Sequence, residues 1–303
     1  MLCRKELPVF NFIMNQNFNP YKSSLDGLIL ENPVLAFFQF CKKREDIRIK
    51  RESGLPAPWS NDPIFQKGRF LNVFREDDRG SKAIIQFVSK TSSDFPTLVQ
   101  AIFFSRWCNR QETLDILDPI LLKNPDRLSS FLIDMNSWCN TTAYPVDSVQ
   151  LNDTEYSRID TATHVFKSNK EMLSNLILNS NGSVIEATAQ INKIFQMKND
   201  FPIFMAVMDI AWFRPDIIKP DSNVPVGIGA VAYIEILKSY LKKDSDEKVF
   251  AHMIKLQKKY WPGAKRNFHP IDIEYLSCEC RKYYSYVNGT KLFEGKNLFY
   301  PKK

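Results

Sequence analysis

The sequence is poor in the residues that build metal sites and disulfides. Its 303 residues include six cysteines, none of them in a Cys-x-x-Cys pair, and only three histidines. Structural zinc sites use such pairs at close spacing, so we expect no zinc site and no cofactor. Unpaired thiols are typical of a reducing compartment, and we expect an intracellular protein, in the cytoplasm of a bacterial host or in a eukaryotic nucleus.

Long apolar runs and a phosphate-cradling glycine loop are also missing. No stretch approaches the roughly 20 apolar residues that span a membrane, and the first six residues lack the order of a signal peptide, so no membrane partner is expected. No Gly-x-x-x-x-Gly-Lys-Ser/Thr motif occurs. The chain is therefore not expected to be a P-loop kinase itself.

Positive charge is in excess. There are 41 Lys and Arg residues against 34 Asp and Glu, which gives a net charge of +7 and a pI of about 9.0. This excess suits a nucleic-acid partner, although many basic proteins bind none.

The apolar residues recur with a helical period along most of the chain, and strand-like alternation is rare. We therefore predict a mostly α fold, with an irregular N-terminal arm over residues 1–30, one multi-helix domain over 31–290 and a C-terminal tail over 291–303. The predicted helices cover 32–49, 62–79, 95–109, 112–122, 125–136, 170–179, 184–196, 203–213, 230–241, 246–259 and 272–286.

The most informative segment, which we name the signature segment, runs from Trp59 to Arg79. Asp62 can cap a helix and Pro63 suits its first turn. On a continuous helix one face would carry a polar stripe of Arg69, Asn72, Glu76 and Arg79, with Arg75 beside it. Arginine forks suit phosphate, and an Asn amide suits a base edge. The alternative is an ordinary solvent-exposed helix face.

A second polar group follows in the segment 105–113, where Arg106 and Asn109 are spaced to share a helix face. They predict either a second wall of a nucleotide pocket or a plain helix end. Further on, residues 187–212 read as two helices joined by a hairpin that contains no glycine. Asp209 lies on the second, apolar helix, where an ionised carboxylate needs a partner. It is either a functional acid or an ion-paired group.

Two candidates lie towards the C-terminus. Gly227 and Gly229 precede a helix and allow either close approach of an anion or a simple tight turn. In the run 271–283, Glu279 and Lys282 lie near Glu274 and Cys278 on one helix. Lys282 is a candidate base if neighbouring cations lower its pKa, and the alternative is an ion-paired lysine.

These segments resemble a known family, the helical module found with bacteriophage 5-hydroxymethyl-deoxyuridine DNA kinases and with the related alpha-glutamyl/putrescinyl thymine pyrophosphorylases. Residues 59–79 fit its pattern Trp-x-x-Asp-Pro-Ile-Leu-Gln-x-x-Arg-Phe-x-Asn-Val-Phe-Arg-Glu-x-Asp-Arg, with Phe65 in place of Leu. The segments 105–113 and 271–283 are similar to two further family motifs. Two shorter matches are Thr141–Tyr144, with Tyr144 as a stacking candidate, and the glycine turn, where Ile228 replaces Pro. The similarity extends over roughly residues 33–286. Residues 187–212 also resemble, distantly, the helix-hairpin-helix of DNA glycosylases.

The resemblance implies an enzyme of DNA base hypermodification. Its substrate would be DNA in which a 5-hydroxymethyluracil is phosphorylated or pyrophosphorylated, and a small amine or amino acid would replace the phosphate. The implied DNA and phosphate ligands are the arginines at 69, 75, 79 and 106, Asn72, Asn109, Gly227 and Gly229. The implied catalytic groups are Glu76, Asp209, Glu279 and Lys282. The alternatives are a non-catalytic DNA-binding module that works with a separate DNA kinase, and a modified-base DNA glycosylase with Asp209 as its acid.

Overall fold

The computed structural model describes Tyr21, Ser23, Leu25 and residues 27–91, 94–141 and 148–293. Most of the predicted arm, most of the tail and Tyr144 lie outside the described residues. The helices are α1 Leu28–Glu31, α2 Pro33–Glu52, α3 Pro63–Lys67, α4 Arg79–Val88, α5 Phe95–Cys108, α6 Gln111–Ile116, α7 Pro125–Ile133, α8 Arg158–Asp160, α9 Phe166–Ser168, α10 Lys170–Leu178, α11 Val184–Phe195, α12 Phe201–Ile210, α13 Val231–Leu241, α14 Asp246–Tyr260 and α15 Pro270–Val287. The other regular elements are two 3-10 segments, Arg75–Asp77 and Pro119–Lys123, a π turn over Thr161–Val165 and a hairpin of β1 Val149–Leu151 with β2 Thr154–Tyr156.

The chain divides into two compact units. The terminal unit comprises the residues up to Arg75 together with those from Val224 onwards, and the central unit comprises Glu76–Asn223. The predicted domain bounds, with one domain over 31–290, stay a prediction, since compactness alone does not test them.

In the terminal unit, α15 packs against α2, α13 and α14. Its core is aromatic: Phe37, Phe40, Tyr233 and Tyr283 are almost completely buried. The hydroxyl of Tyr233 donates a hydrogen bond to the Pro33 carbonyl oxygen at 2.9 Å, which satisfies a polar group that would otherwise be costly to bury.

In the central unit, α5 is the buried helix. Every residue from Leu98 to Cys108 is buried, and α5 packs against α4, α10 and α12. The rings of Trp107 and Phe166 meet edge to face with their centroids 4.7 Å apart. A helix that is buried all round shows no amphipathic stripe, and the few polar side chains of α5, such as Gln100 and Arg106, are hydrogen-bonded within the fold.

The mostly α fold is confirmed, but the continuous helix predicted over 62–79 is wrong. It begins as predicted, with the Asp62 carboxylate accepting from Ile64 N at 2.9 Å and Pro63 in the first turn. It ends at Lys67, because Gly68 adopts an extended conformation with φ −81° and ψ 145°. A Cβ on Gly68 would lie 2.5 Å from the Phe70 ring, so only glycine permits this close turn. Residues 69–74 are then irregular.

Two other local predictions also differ from the structure. The helix predicted over 112–122 is split, since Pro119 opens a separate 3-10 segment. Between the helices predicted over 125–136 and 170–179, where no regular element is predicted, Asn152 and Asp153 both have positive φ, at 50° and 60°, and form the two-residue turn of the β1–β2 hairpin. Within the described residues, no helix has both the length and the apolarity to span a membrane.

Candidate functional site

The predicted site residues divide between the two units. Arg69, Asn72, Arg75, Gly227, Gly229, Glu279 and Lys282 lie in the terminal unit, and Glu76, Arg79, Arg106, Asn109 and Asp209 lie in the central unit. The predicted stripe of Arg69, Asn72, Glu76 and Arg79 is not a helix face, because the helix ends before Gly68.

In the terminal unit the candidate site lies along one side of α15. Its start is fixed by Asp272, whose carboxylate accepts from His269 N at 2.8 Å and from the Arg266 guanidinium at 2.5 Å. Glu274, Cys278 and Lys282 follow at intervals of four residues, so they share one side of the helix, with successive Cα atoms about 6 Å apart along the axis. These three residues form what we name the α15 stripe.

The predicted glycine turn covers the α15 stripe. Gly227 N donates to Glu274 Oε1 at 3.0 Å, and Arg281 Nε donates to the Gly229 carbonyl oxygen at 2.6 Å. A Cβ on Gly229 would lie 2.5 Å from Cys278 Sγ. Both glycines therefore serve a close approach of this loop to α15, and Ile228 between them is 97% exposed.

Glu274 has the electrostatics of an acid–base group. Its side chain is buried, and burial raises its pKa to about 7, against the opposing effects of the Gly227 N–H and the Arg75 guanidinium. The bond from Gly227 N is the one hydrogen bond that its carboxylate accepts from the described residues. Sequence reasoning did not select Glu274 as a site residue. The available signal was its place in the run 271–283, the same family motif from which Glu279 and Lys282 were selected.

The signature segment contacts the same helix. Leu71 N donates to Glu279 Oε2 at 2.9 Å, and the Tyr275 hydroxyl donates to the Asn72 carbonyl oxygen at 3.0 Å. The side-chain oxygen of Asn72 accepts from the Arg44 guanidinium at 2.5 Å. Asn72 is thus buried and bonded within the fold rather than presented on a surface, whereas Arg69 is exposed.

Lys282 and Arg75 have defined surroundings as well. Lys282 Nζ donates to Glu279 Oε1 at 2.8 Å and lies 5.0 Å from the centre of the Phe70 ring. These contacts correspond to the ion-paired lysine that was one of the two possibilities for Lys282. Arg75 is 6% exposed and acts electrostatically on Glu274, so it lies inside the terminal unit and not on an outer face.

In the central unit, Arg106 and Asp209 form a buried ion pair. Arg106 Nη2 donates to Asp209 Oδ1 at 2.8 Å, and Arg106 Nε donates to Oδ2. Asp209 is 0% exposed, and the Arg106 guanidinium lies 5.9 Å from the centre of the Trp212 ring. The bidentate ion pair with Arg106 provides the partner that an ionised carboxylate on an apolar helix needs.

The remaining predicted residues of this unit lie around the end of α5. Asn109 ends the helix in the left-handed conformation with φ 41°, and its N–H bonds to the Ser105 carbonyl oxygen at 2.7 Å. Arg79 is exposed and donates to Gln111 Oε1 at 3.1 Å, and Glu76 lies in the 3-10 segment. Across the ranges that the structure covers, no three His, Cys, Asp or Glu side chains are grouped so as to hold a metal ion.

The chain is similar to a known protein family. A family model described as the helical domain of 5-hmdU DNA kinase matches residues 32–290. No curated protein and no solved structure matches the chain, so the likeness to the helix-hairpin-helix of DNA glycosylases stays a prediction. The family model includes both the signature segment and the α15 stripe, and it confirms the resemblance found in the sequence. The chain therefore belongs to the family of the 5-hmdU DNA kinase helical domain.

Proposed function

We propose that the protein is a DNA base hypermodification enzyme. It acts on DNA in which the hydroxymethyl oxygen of 5-hydroxymethyluracil carries phosphate or pyrophosphate, and it replaces that group with a small amine or amino acid. Membership of the 5-hmdU DNA kinase helical-domain family suggests involvement in the modification of hydroxymethyluracil in DNA. The observation that carries the chemical part of the proposal is the buried Glu274 carboxyl with a pKa of about 7.

The reaction needs a proton acceptor. The amine lone pair attacks the exocyclic methylene carbon, the carbon–oxygen bond breaks, and its electron pair leaves with the phosphate or pyrophosphate. The new ammonium group then loses one proton. A general base works best when its pKa lies near the operating pH, and Glu274 meets that condition. We assign the proton transfer to its carboxylate.

The leaving group needs cations. Lys282 belongs to the α15 stripe and Arg281 precedes it on α15, and both side chains are partly exposed. Arg69 is exposed on the signature segment of the same unit. Positively charged groups held in advance around a developing phosphate anion lower the barrier to its departure. Arg75, which is buried, is better suited to hold the Glu274 carboxylate ionised than to bind substrate.

Mass spectrometry of nucleosides tests the proposal. DNA containing phosphorylated or pyrophosphorylated 5-hydroxymethyluracil is incubated with the protein and a panel of amines, then digested. We expect a nucleoside whose mass corresponds to replacement of the phosphate by the amine. Glu274→Gln should abolish it, whereas the matched control Glu247→Gln, at an exposed position at the start of α14, should keep it. Absence of any product from the unaltered protein with all amines contradicts the proposal.

A non-catalytic module is the second candidate, and the family description itself favours it. That description names a domain of a kinase, and the 303 residues contain no P-loop motif. In this case the protein would bring DNA to a separate DNA kinase. Its addition would then raise phosphorylation of 5-hydroxymethyluracil DNA by that kinase, and Glu274→Gln would have no effect on the increase.

The glycosylase alternative requires Asp209 to act on a water or on the sugar. Asp209 is fully buried and both of its oxygens are bonded to Arg106, so we favour a positioning role for this residue. Alkali-labile breaks in treated DNA that disappear in Asp209→Asn would support the glycosylase instead.

A further inference from the structure

A cleft of about 390 Å³ in the central unit collects positive charge. Four lysines line it: Lys90, Lys123, Lys167 and Lys170. Asp118 is the one carboxylate among the lining residues. The volume falls within the usual range for ligand sites.

The lysines come from three parts of the chain, because Lys167 and Lys170 lie only three residues apart where α9 meets α10. Lys90 follows the end of α4, Lys123 ends the 3-10 segment, Lys167 lies in α9 and Lys170 opens α10. A solvated helix face would instead place its charges on one element. Like charges brought together from separate elements repel each other, so their convergence on one cleft indicates an anionic ligand.

Within the described residues, the cleft lysines are not neutralised by carboxylates. None of the four forms an ion pair with a carboxylate within the part of the chain that the structure describes. Lys170 Nζ donates to Thr97 Oγ1 at 3.2 Å, and Asp118 Oδ1 accepts from Ile120 N at 2.9 Å. Asp118 therefore stabilises its own turn rather than neutralising a lysine.

The walls of the cleft are fixed by hydrogen bonds. Gln100 is 2% exposed and its amide donates to the Leu122 carbonyl oxygen at 2.8 Å, which ties the 3-10 segment to α5. At the start of α5, Thr97 N donates to Asp94 Oδ1 at 3.0 Å. The positions of the lysine stems are thus set by the fold, while their ends stay able to follow a ligand.

The lining also indicates which part of a nucleic acid would bind. It contains no aromatic ring on which a base could stack, and no arginine or asparagine fork that could read a base edge. Lysine ammonium groups act as mobile point charges, which suits a row of phosphates. We propose that this lysine cleft binds the phosphate backbone of DNA without reading its sequence; the proposal rests on the proposed function in that DNA is the substrate.

The test compares two double variants that lose the same charge. Lys123→Gln with Lys167→Gln removes charge from the cleft, and Lys193→Gln with Lys219→Gln removes it from exposed positions of the same unit outside the cleft. Affinity for an unmodified duplex of mixed sequence is measured at several salt concentrations, after equal melting temperatures have been established. The single variant Lys123→Gln, at an exposed position, serves if the double variant does not fold.

We expect the cleft variant to bind DNA about tenfold more weakly, and the slope of log affinity against log salt to fall by about one for each phosphate that is no longer neutralised. The control should bind clearly more tightly than the cleft variant. Equal weakening in both variants would overturn the assignment, as would tight binding of inorganic pyrophosphate to the cleft with unchanged DNA affinity. If the unaltered protein does not bind DNA, both proposals fail. If it binds DNA and forms product but the cleft variant binds equally well, only this inference fails.

Discussion

The two units each contain a buried carboxylate on a helix, and the two carboxylates have different surroundings. Asp209 in the central unit is held by two bonds from the Arg106 guanidinium. Glu274 in the terminal unit receives one backbone N–H, and Arg75 acts on it electrostatically. Burial raises the pKa of Glu274 to about 7 because these two favourable interactions do not outweigh the loss of solvent.

This comparison separates two uses of a buried acid. A carboxylate that has both oxygens bonded to a guanidinium is committed to the fold, and removing either partner leaves a charge without compensation. A carboxylate with one bond and a pKa near neutrality can exchange a proton at ordinary pH. The sequence indicates burial and an apolar neighbourhood, and these do not distinguish a structural acid from a proton-exchanging one. The hydrogen-bonding partner of the carboxylate distinguishes them.

The largest expected effect is on product formation in Glu274→Gln. Removing a general base typically costs about 10²–10⁴-fold in rate. The amide keeps the volume and can still accept the Gly227 N–H, so DNA affinity should be retained and the melting temperature should not fall. Single-turnover kinetics and a DNA-binding titration check this. A parallel decrease in DNA affinity would show that Glu274 supports the fold rather than the proton transfer.

The variant Arg106→Leu should unfold at a lower urea concentration than the unaltered protein. Breaking a buried pair by removing one partner costs about 3–5 kcal/mol, since Asp209 would stay buried without its guanidinium. Urea unfolding followed by circular dichroism measures the change. Arg110→Leu is the control, because its pair with Glu112 is largely exposed, with a separation of 3.5 Å, and such pairs contribute less than about 1 kcal/mol. If Arg106→Leu and Arg110→Leu lowered the unfolding free energy equally, the pair of Arg106 with Asp209 would not be a special contribution to stability.

Stability should depend on pH through Glu274. Its folded pKa of about 7 lies above the ordinary value of 4.5, so folding favours the protonated form. Its contribution is fully present below about pH 4.5, declines as pH rises and is lost above about pH 7. The decline is on the order of 3 kcal/mol. Glu274→Gln should remove this decline, so its unfolding free energy should exceed that of the unaltered protein at pH 8 but not at pH 4. If the unfolding free energies of the two proteins changed with pH in parallel, Glu274 would not be the source of the pH dependence.

Arg75→Ala should shift the pH dependence of activity. The Arg75 guanidinium lowers the pKa of Glu274, so its removal should raise that pKa. Since the base must be ionised to accept a proton, the rising limb of the rate profile near pH 7 should move to higher pH. Much of the activity should return at pH 9. Loss of activity at every pH would instead indicate that Arg75 binds substrate or supports the fold.

The smallest effect is expected for Arg69→Ala. Arg69 is exposed, so its removal should leave the melting temperature unchanged and weaken DNA binding only a few-fold, as for one phosphate contact. Arg51→Ala, on α2 of the same unit, is a control of equal charge. No difference between the two variants would remove Arg69 from the proposed DNA contacts.

The sequence predicts the regular parts of this fold well. Helix α3 begins at Pro63 with Asp62 as its cap, and α2, α5 and α15 lie within a few residues of their predicted bounds, because their caps and periods are local signals. The helix predicted over 62–79 is wrong because the chain turns out of the helix at Gly68, where the Phe70 ring and the Ile64 carbonyl oxygen approach too closely for a Cβ, and no helical period reveals these contacts.

The candidate site is predictable only in part. Family similarity draws attention to α15 and to the glycine turn, but the contact of Gly227 with Glu274 joins positions 47 residues apart. The pKa of Glu274 depends on that contact, on Arg75 and on burial together. Likewise, the pairing of Arg106 with Asp209 links residues separated by 103 positions. The sequence shows that an acid on an apolar helix, such as Asp209, needs a partner, but only the fold shows which residue that partner is.

The close approach of Gly229 to Cys278 makes the thiol a reporter of the glycine turn. Cys278 and Cys139 are partly exposed, while Cys41, Cys108 and Cys280 are buried, so the labelled position must be identified by peptide mapping. Burial raises the pKa of the Cys278 thiol, so it should react slowly with alkylating reagents at neutral pH while the turn lies over it. Any ligand that lifts or presses down the turn should change that labelling rate. Alkylation kinetics at this one sulfur can therefore follow occupancy of the site before any substrate has been identified.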